Sequence, residues 1–462
     1  MMNRKQRHAA AKSGNAEALV ALAHILATEG KVDESAKRYR QALSIKPGLA
    51  NAHNDLANLL QAQGRFDEAI AHYQKAIEIR PQEPVYYNNL GNVAAERGLL
   101  EEAIRIYCKA IALRSNYAEA HYNLARALVD FGQVEDGITH YQRALELKPQ
   151  YISARIALGH VFADQGRLVE ALDHAEIASR SSHELSFPLY HYGVLLARCG
   201  CADAAKICFE TCLERDPEDR DGVGLLLAGL GCVPMPERAS SVQLDEYYAR
   251  RANFWDQKAA SGERVGYRGA DLVSSMLDRL TQDAAGLDII DAGCGTGLVG
   301  VLVAGKARQL VGVDASSAML EMAKKRSVYH RLHQGDLIAF LNGHSASFDA
   351  LTCAATLIHF GDLRPAFEAA AASLRDFGLF IFTLFPNEDD ADAVAAGTFD
   401  GYAQGGCFRH GRNYVARLAE MTGFKVEALD LDIHEYARGK PRMGLIVALR
   451  RLGRQDKQAS AA

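Results

Sequence analysis

The sequence predicts a multidomain protein in which an all-α helical-repeat solenoid is followed by an α/β domain with a Rossmann-like sheet. Two observations lead to this prediction. In the first half, proline and glycine recur at a fixed spacing, as they do in stacked pairs of helices. In the second half, an apolar segment leads into three glycines at alternating positions, which is typical of a strand that turns sharply into a nucleotide-binding helix. A chain of 462 residues is also longer than one ordinary hydrophobic core supports.

The spacing of four prolines defines the repeat. Pro47, Pro81, Pro149 and Pro217 lie 34, 68 and 68 residues apart, and about 34 residues is the period of the tetratricopeptide repeat, a helix–turn–helix unit. Counting from these prolines predicts six repeats over 16–219, which leaves 1–15 as an N-terminal segment. One glycine position recurs in every unit, where a tight turn between helices requires it: Gly30, Gly64, Gly98, Gly132, Gly166 and Gly200.

Polar residues recur on the first helix of the repeats, on the side that is expected to line a concave groove. The candidate groove residues are Asn54, Asn58, Asn89, Asn92, Asn123 and Arg126. They resemble the asparagine ladders of peptide-binding repeat proteins, since an amide side chain can both donate to and accept from a peptide backbone. The alternative interpretation is a solvated polar face, because any exposed groove is polar. The sequence therefore predicts that a protein or peptide partner binds in this groove.

The repeats are predicted to end in a capping helix and a linker at 220–240. A leucine-rich segment follows Arg220, and the sequence V-P-M-P at 233–236 interrupts it. The second domain is predicted to cover 241–451, and the small, polar tail 452–462 is predicted to be disordered. Four cysteines lie near the last repeat with a spacing that no common zinc site uses, so we interpret them as packed thiols and expect no metal: Cys199, Cys201, Cys208 and Cys212.

Acidic residues stand where three successive predicted strands end. Asp291 follows the apolar segment from Leu287, Asp314 ends the segment from Gln309, and Asp336 follows His333-Gln334-Gly335. Parallel strands present their carboxyl ends at one edge of a sheet, and ligands bind at that edge. Four more strands are predicted at 348–353, 378–384, 424–430 and 444–450, which gives a seven-stranded sheet.

These motifs together resemble a known family. D-A-G-C-G-T-G at 291–297, G-V-D-A-S at 312–316 and G-D-L at 335–337 are similar to the motifs of class I S-adenosylmethionine-dependent methyltransferases. A longer pattern, which includes G-Y-R at 266–268, resembles predicted methyltransferases fused to tetratricopeptide repeats, and the resemblance covers about residues 242–451. The resemblance implies S-adenosyl-L-methionine as cofactor, an antiparallel last strand and methyl transfer as the activity.

The resemblance and the chemistry of the residues assign a cofactor site. Asp314 is expected to hold the ribose hydroxyls, Asp336 to accept from the adenine amino group, and Arg268 to meet the methionine carboxylate. Asp291 is expected to accept from a backbone amide or from the cofactor's ammonium, and Met319 to offer apolar surface to adenine. The full set is Asp291, Gly293, Cys294, Gly295, Thr296, Gly297, Asp314, Ala315, Met319, Asp336, Leu337, Ala354, Tyr267 and Arg268.

Two histidines are candidate catalytic bases. A sulfonium methyl donor needs little activation, so a base is required only when the acceptor arrives protonated. His359 follows the fourth strand and His410 precedes a helix, and a structural role is the alternative for each. The resembled family commonly has an acid where this chain has Ala355 and an arginine where it has Cys407. A lid is a further expectation, with helix packing as its alternative, for Tyr247, Tyr248 and Trp255.

Composition argues against two classes of function, nucleic-acid binding and membrane spanning. The formal net charge of -5 gives no basis for nucleic-acid binding, and no apolar segment reaches membrane-spanning length. Nine cysteines, an odd number, indicate reduced thiols and a cytoplasmic location. The sequence favours a methyltransferase whose repeats recruit a protein. The alternatives are a repeat scaffold that binds cofactor without turnover, a small-molecule methyltransferase that uses the repeats for docking, and, disfavoured by Asp291 and the Gly335-Asp336 pair, a nicotinamide-dependent oxidoreductase.

Overall fold

The computed structural model describes residues 15–180, 186–249, 252, 267–282, 284–396, 407–437 and 440–453. Predictions were also made for residues 1–14, Trp255 and residues 454–462, which lie outside this description. The chain divides into two compact units between residues 154 and 155.

The first unit consists of paired helices. They are α1 Ala16–Thr28, α2 Val32–Ile45, α3 Ala50–Ala62, α4 Phe66–Ile79, α5 Pro84–Glu96, α6 Leu100–Leu113, α7 Ala118–Phe131 and α8 Val134–Leu147. The next helix, α9 Ile152–Asp164, starts in the last three residues of this unit. The predicted turn glycines have positive φ, for example 97° at Gly132, where a side chain would be strained. The second helix of each pair buries one tyrosine between the helices: Tyr39, Tyr73, Tyr107 and Tyr141. The predicted repeat architecture is confirmed.

The second unit begins with the last repeats. Its helices are α10 Leu168–Arg180, α11 Ser186–Arg198, α12 Ala202–Arg215, the short α13 Val223–Gly229 and α14 Ser241–Ala249. The predicted capping segment forms α13, whose Leu226 and Leu227 pack with Phe209 of α12. Leu225, on the same helix, packs with Phe408 of the following domain. The division into units therefore falls earlier than the predicted linker at 220–240, because α13 packs on both the repeats and the α/β domain.

The α/β domain is a twisted sheet flanked by helices. Its main strands are β1 Leu287–Ala292, β2 Ala307–Asp314, β3 Arg331–Gln334, β4 Phe348–Cys353, β5 Leu374–Pro386, β8 Phe424–Ala437 and β9 Lys440–Arg451. They follow the order β3-β2-β1-β4-β5-β9-β8, parallel except that β9 runs antiparallel to β5 and β8. The seven predicted strands and the antiparallel last strand are confirmed. Two short strands that were not predicted, β6 Val394–Ala396 and β7 Phe408–His410, extend the sheet beyond β5.

Helices cover both faces of this sheet and complete the core. They are α15 Gly269–Thr281, α16 Leu298–Val303, α17 Ser317–Lys325, α18 Leu337–Asn342, α19 Arg364–Ser373 and α20 Arg412–Met421. One core is aromatic and centres on Phe367, Phe380 and Phe382, whose rings meet edge to face or tilted. The other is aliphatic and includes Val273 and Leu310. The two cores fix the strands, and with them the edge at which β1, β2 and β4 end.

Candidate functional site

A cavity of about 560 Å³ lies where β1, β2, β3 and β4 end, which is in the size range of small-molecule sites. The turn after β1 forms one wall. Gly293 has a φ of 70°, and a Cβ there would lie 1.9 Å from the Thr356 hydroxyl oxygen. Gly295 has a φ of 53°, and no atom of the described residues comes within 4 Å of the place its Cβ would occupy. Glycine is therefore needed at both positions, and the backbone at Gly295 is open to a ligand.

Asp314 lies at the end of β2 and lines this cavity. Its Oδ2 accepts a hydrogen bond from the Gly295 amide at 2.9 Å, and its Oδ1 accepts one from the Ser316 amide at 2.8 Å. Burial raises the pKa of the carboxyl above its usual range, although the two amides oppose this shift. The carboxylate is thus fixed against the glycine turn, and each oxygen retains a lone pair for a second donor.

Asp336 follows β3 and also lines the cavity. Its Oδ1 accepts from the Ala339 amide at 2.9 Å, which caps the start of α18. Its Oδ2 accepts from Nη1 of Arg238 at 2.8 Å. The apolar side chains expected beside an adenine, those of Met319 and Leu337, line the same wall.

Asp291 has different surroundings from the other two acids. It is fully buried, and its Oδ2 accepts a hydrogen bond from the Tyr329 hydroxyl at 2.6 Å. Burial raises the pKa of this carboxyl to about 7. The described cavity lining does not include Asp291, so its role toward a cofactor remains a prediction.

Of the other predicted cofactor residues, most line the cavity and two lie apart from it. Those in the lining are Gly293, Cys294, Thr296, Ala315, Ala354 and Tyr267. Gly297 instead directly precedes α16 as its N-terminal cap residue, with a φ of 89°. Arg268 donates from Nη1 to Asp432 Oδ1 at 3.0 Å and to the Ile433 carbonyl at 3.2 Å, outside the described lining. Both contacts use Nη1, and the role expected of Arg268 toward the methionine carboxylate stays a prediction.

The two candidate bases are both buried but have different neighbours. His359 lines the cavity, and its Nε2 lies 2.6 Å from the hydroxyl oxygen of Tyr248. His410 is fully buried in β7, and its Nε2 lies 2.8 Å from the Phe360 carbonyl oxygen. Burial lowers the pKa of His410 to about 4, so the ring is neutral and Nε2–H donates to that carbonyl. Geometry therefore brings His359, but not His410, to the cavity.

Several residues of the cavity were not predicted. Arg238, Ser241, Leu244 and Asp245 come from the segment before the sheet, and Phe360 follows β4. They carry no motif, and their place depends on how the segment folds back onto the sheet. A basic residue two positions after the V-P-M-P interruption was the available signal for Arg238.

The candidate groove residues in the first unit form a network across successive repeats. Asn89 Nδ2 on α5 donates to Asn54 Oδ1 on α3 at 2.9 Å and to Asn58 Oδ1 at 3.3 Å. Asn123 Nδ2 on α7 donates to Asn88 Oδ1 at 3.0 Å. Two of the amides also accept from buried tyrosines, Asn58 from Tyr73 and Asn92 from Tyr107. The amides thus support repeat stacking, while Arg126 on α7 stays exposed beside them.

The described ranges contain neither a membrane-spanning helix nor a metal cluster. In them, every helix falls short of the length or the apolar character that a bilayer-spanning helix requires. The same ranges hold no group of three or more histidine, cysteine, aspartate or glutamate side chains with metal-binding geometry. The cysteines of these ranges, Cys199 and Cys212 among them, are free thiols.

Comparison with known proteins finds a matching family pattern in each half of the chain. The pattern of the methyltransferase domain family matches residues 289–378, and patterns of the tetratricopeptide repeat match 14–82, 48–116, 125–166 and 188–219. A ubiquinone biosynthesis O-methyltransferase of Actinobacillus pleuropneumoniae is 26% identical over 153 residues, which cover 30% of this chain and 63% of that protein. A magnesium-protoporphyrin O-methyltransferase of Rhodobacter capsulatus is 38% identical over 72 residues, covering 15% of this chain and 32% of that protein.

The chain thus spans less than two thirds of the length of these curated relatives. Among solved structures, pilF of Pseudomonas aeruginosa covers 46% of this chain and 94% of its own, with 19% identity and a TM-score of 0.39.

Proposed function

We propose that this chain, in which tetratricopeptide repeats precede a methyltransferase domain, transfers a methyl group from S-adenosylmethionine to an acceptor. One observation carries the proposal: the glycine turn after β1 and the Asp314 carboxylate, hydrogen-bonded to each other, border one cavity at the edge where the strands end. Such an edge binds ligands in α/β sheets. The fit is supported by the open backbone at Gly295 and by the cavity's volume of about 560 Å³.

The residues of the cavity have separate tasks in this proposal. Asp314 would accept from the ribose hydroxyls with its remaining lone pairs, Asp336 would accept from the adenine amino group, and the Gly293–Gly295 backbone would approach the amino-acid part. S-adenosylmethionine, when bound, supplies a methyl group on a sulfonium that leaves by in-line displacement, so that positioning contributes much of the rate. A protonated acceptor would lose its proton to Nε2 of His359, by way of the Tyr248 hydroxyl that lies 2.6 Å from it.

Titration calorimetry with S-adenosylmethionine tests the donor site. The unaltered chain is expected to bind, and Asp314→Asn is expected to weaken binding about tenfold or more, because an amide oxygen is a weaker acceptor than a carboxylate. Asp362→Asn is a matched control, since Asp362 Oδ1 also accepts a backbone amide two residues later, that of Arg364 at 2.9 Å, and lies outside the described lining. Equal loss of affinity in both variants, or none in Asp314→Asn, would contradict the ribose assignment.

We also infer that the asparagine-lined face of α3, α5 and α7 binds an extended segment of a protein partner. The cross-repeat amide network and the exposed Arg126 support this, because amides bind backbone and a guanidinium binds carboxylates. The free thiols support a cytoplasmic setting for this interaction.

Binding to a peptide array tests the groove. Asn89→Ala combined with Arg126→Ala is expected to reduce peptide binding about tenfold while S-adenosylmethionine affinity stays unchanged, because these side chains lie outside the α/β domain. Arg105→Ala, on the exposed surface of α6, is the control. Peptide binding that survives the double variant would exclude this face as the binding site.

A further inference from the structure

The segment that joins the repeats to the α/β domain is built into the wall of the cavity. The Ala239 amide donates to the His359 carbonyl at 2.8 Å, and the Gly361 amide donates to the Glu237 carbonyl at 2.7 Å. A Cβ at Gly361 would lie 2.5 Å from the carbonyl oxygen of Pro236, so glycine is needed for this close approach. Residues 236–239 therefore lie along the loop after β4, where Arg238 and Phe360 form an isolated antiparallel bridge.

This arrangement places Arg238 at the cavity. Its Nη1 donates to Asp336 Oδ2 at 2.8 Å across 98 residues of sequence. Among the described lining residues Arg238 is the one lysine or arginine, whereas Asp245, Asp314 and Asp336 supply three carboxylates. Within the described part of the chain the guanidinium makes this one side-chain hydrogen bond, so its other N–H groups are available to a ligand.

The same segment is anchored on the side of the last repeat. Ala239 packs in one cluster with Leu225 of α13 and Phe408 of β7. Arg220, which follows the last repeat, pairs through Nε with Glu246 Oε1 of α14 at 2.9 Å. Helix α14 in turn supplies Tyr248 to the cavity lining. The cavity wall is thus continuous with the end of the repeats.

We propose that Arg238 is a positioning residue of the methyl-donor site, supplied by the joining segment. It holds the Asp336 carboxylate, which the Ala339 amide fixes from the other side, in the orientation that accepts from the adenine amino group. This inference rests on the proposed function, and it makes donor affinity dependent on a segment outside the nucleotide-binding sheet.

The test is calorimetric titration of the full chain with S-adenosylmethionine and with its demethylated product, S-adenosylhomocysteine. Arg238→Ala is expected to weaken both ligands equally, by about fivefold to twentyfold, because the adenine end is common to them. Arg238→Lys should give an intermediate loss, since it keeps the charge but not the planar fork. The melting temperature should barely change, because a half-exposed ion pair contributes little to stability.

The chain offers a closely matched control. Arg279 pairs with Asp430 at 3.0 Å, and their side chains are 56% and 50% exposed, against 57% and 41% for Arg238 and Asp336. Arg279→Ala is expected to leave both affinities unchanged. Combining Arg238→Ala with Asp336→Asn should cost no more affinity than the larger of the single changes, because one residue acts through the other.

The outcomes separate the two proposals. Absence of S-adenosylmethionine binding by the unaltered chain would overturn the proposed function and this inference with it. Binding by the unaltered chain, together with Arg238→Ala affinities equal to those of Arg279→Ala, would overturn the inference alone. Loss confined to S-adenosylmethionine would also overturn it, because the effect would then follow the sulfonium charge rather than the adenine.

Discussion

His359 and His410 look alike in the sequence, since each has a glycine within the next two residues and each was a candidate base. Their surroundings differ because the fold gives the two rings different hydrogen-bond partners. His359 reaches the cavity and Tyr248, whereas His410 donates to the Phe360 carbonyl from the interior. We therefore expect His410 to hold the loop that carries His359, and the assignment of a base stays a prediction.

Replacing His410 should reduce stability at neutral pH. His410→Ala removes a buried ring and leaves the Phe360 carbonyl without its donor, which should lower the free energy of unfolding by about 2–4 kcal/mol. His410→Gln keeps an N–H donor and should lose less. Urea denaturation of the α/β domain measures both changes.

His344→Ala is the control for this comparison. Its Nδ1 also lies 2.8 Å from a carbonyl oxygen, that of Phe340, but its ring is only half-buried. An equal loss in His344→Ala and His410→Ala would show that burial is not what makes His410 important.

At the scale of elements, two helix pairs of the first unit each contain a contact between two histidines at equivalent positions of the repeat. His53 on α3 faces His72 on α4, and His121 on α7 faces His140 on α8, with each pair of Nδ1 atoms 2.9 Å apart. One Nδ1 in each pair must donate and the other accept. Because His53 Nε2 lies 3.1 Å from the Pro47 carbonyl oxygen, Nε2 carries its proton and Nδ1 accepts from His72. A second proton at this contact would set two donors against each other.

These pairs should make the repeats sensitive to acid. Burial lowers the pKa of all four histidines below the ordinary 6.5, and Lys75 and Arg143 lower those of His53 and His121 further. The unfolded chain therefore takes up more protons than the folded chain as the pH falls below 6.5, so this stabilisation is present above that pH and is lost below it. Thermal unfolding followed by helicity should show a melting temperature that drops between about pH 7.5 and about pH 5.5.

A double variant isolates this effect. His72→Gln with His140→Gln keeps an N–H donor toward His53 and His121 but cannot be protonated, so it should reduce the pH dependence of the repeat transition. Glu68, Asp136 and Arg40 also act on these pairs and are left in place. Parallel pH profiles for the variant and the unaltered chain would mean that the pairs do not control acid sensitivity.

At the scale of the whole molecule, the sequence by itself determined the order of domains, the six-repeat pattern, seven strands and the glycine turn. Each depends on a short-range pattern: a turn glycine such as Gly132 needs positive φ, and an apolar run before Asp291 needs a sheet to cover it. Most predicted cofactor residues line the cavity for the same reason, since parallel strands bring their ends to one edge.

Only the tertiary structure decided which side chains meet across long separations. Arg238 reaches Asp336 over 98 residues and Tyr248 reaches His359 over 111, and no local pattern specifies either contact. The short strand β7 forms where the end of β5 offers an edge, and β6 pairs in turn with β7, so neither strand follows from its own sequence alone. Packing of the joining segment brought Arg238 to the cavity, and the position of β8 brought Asp432 to Arg268. In each case the guanidinium binds the carboxylate that the fold brings within reach.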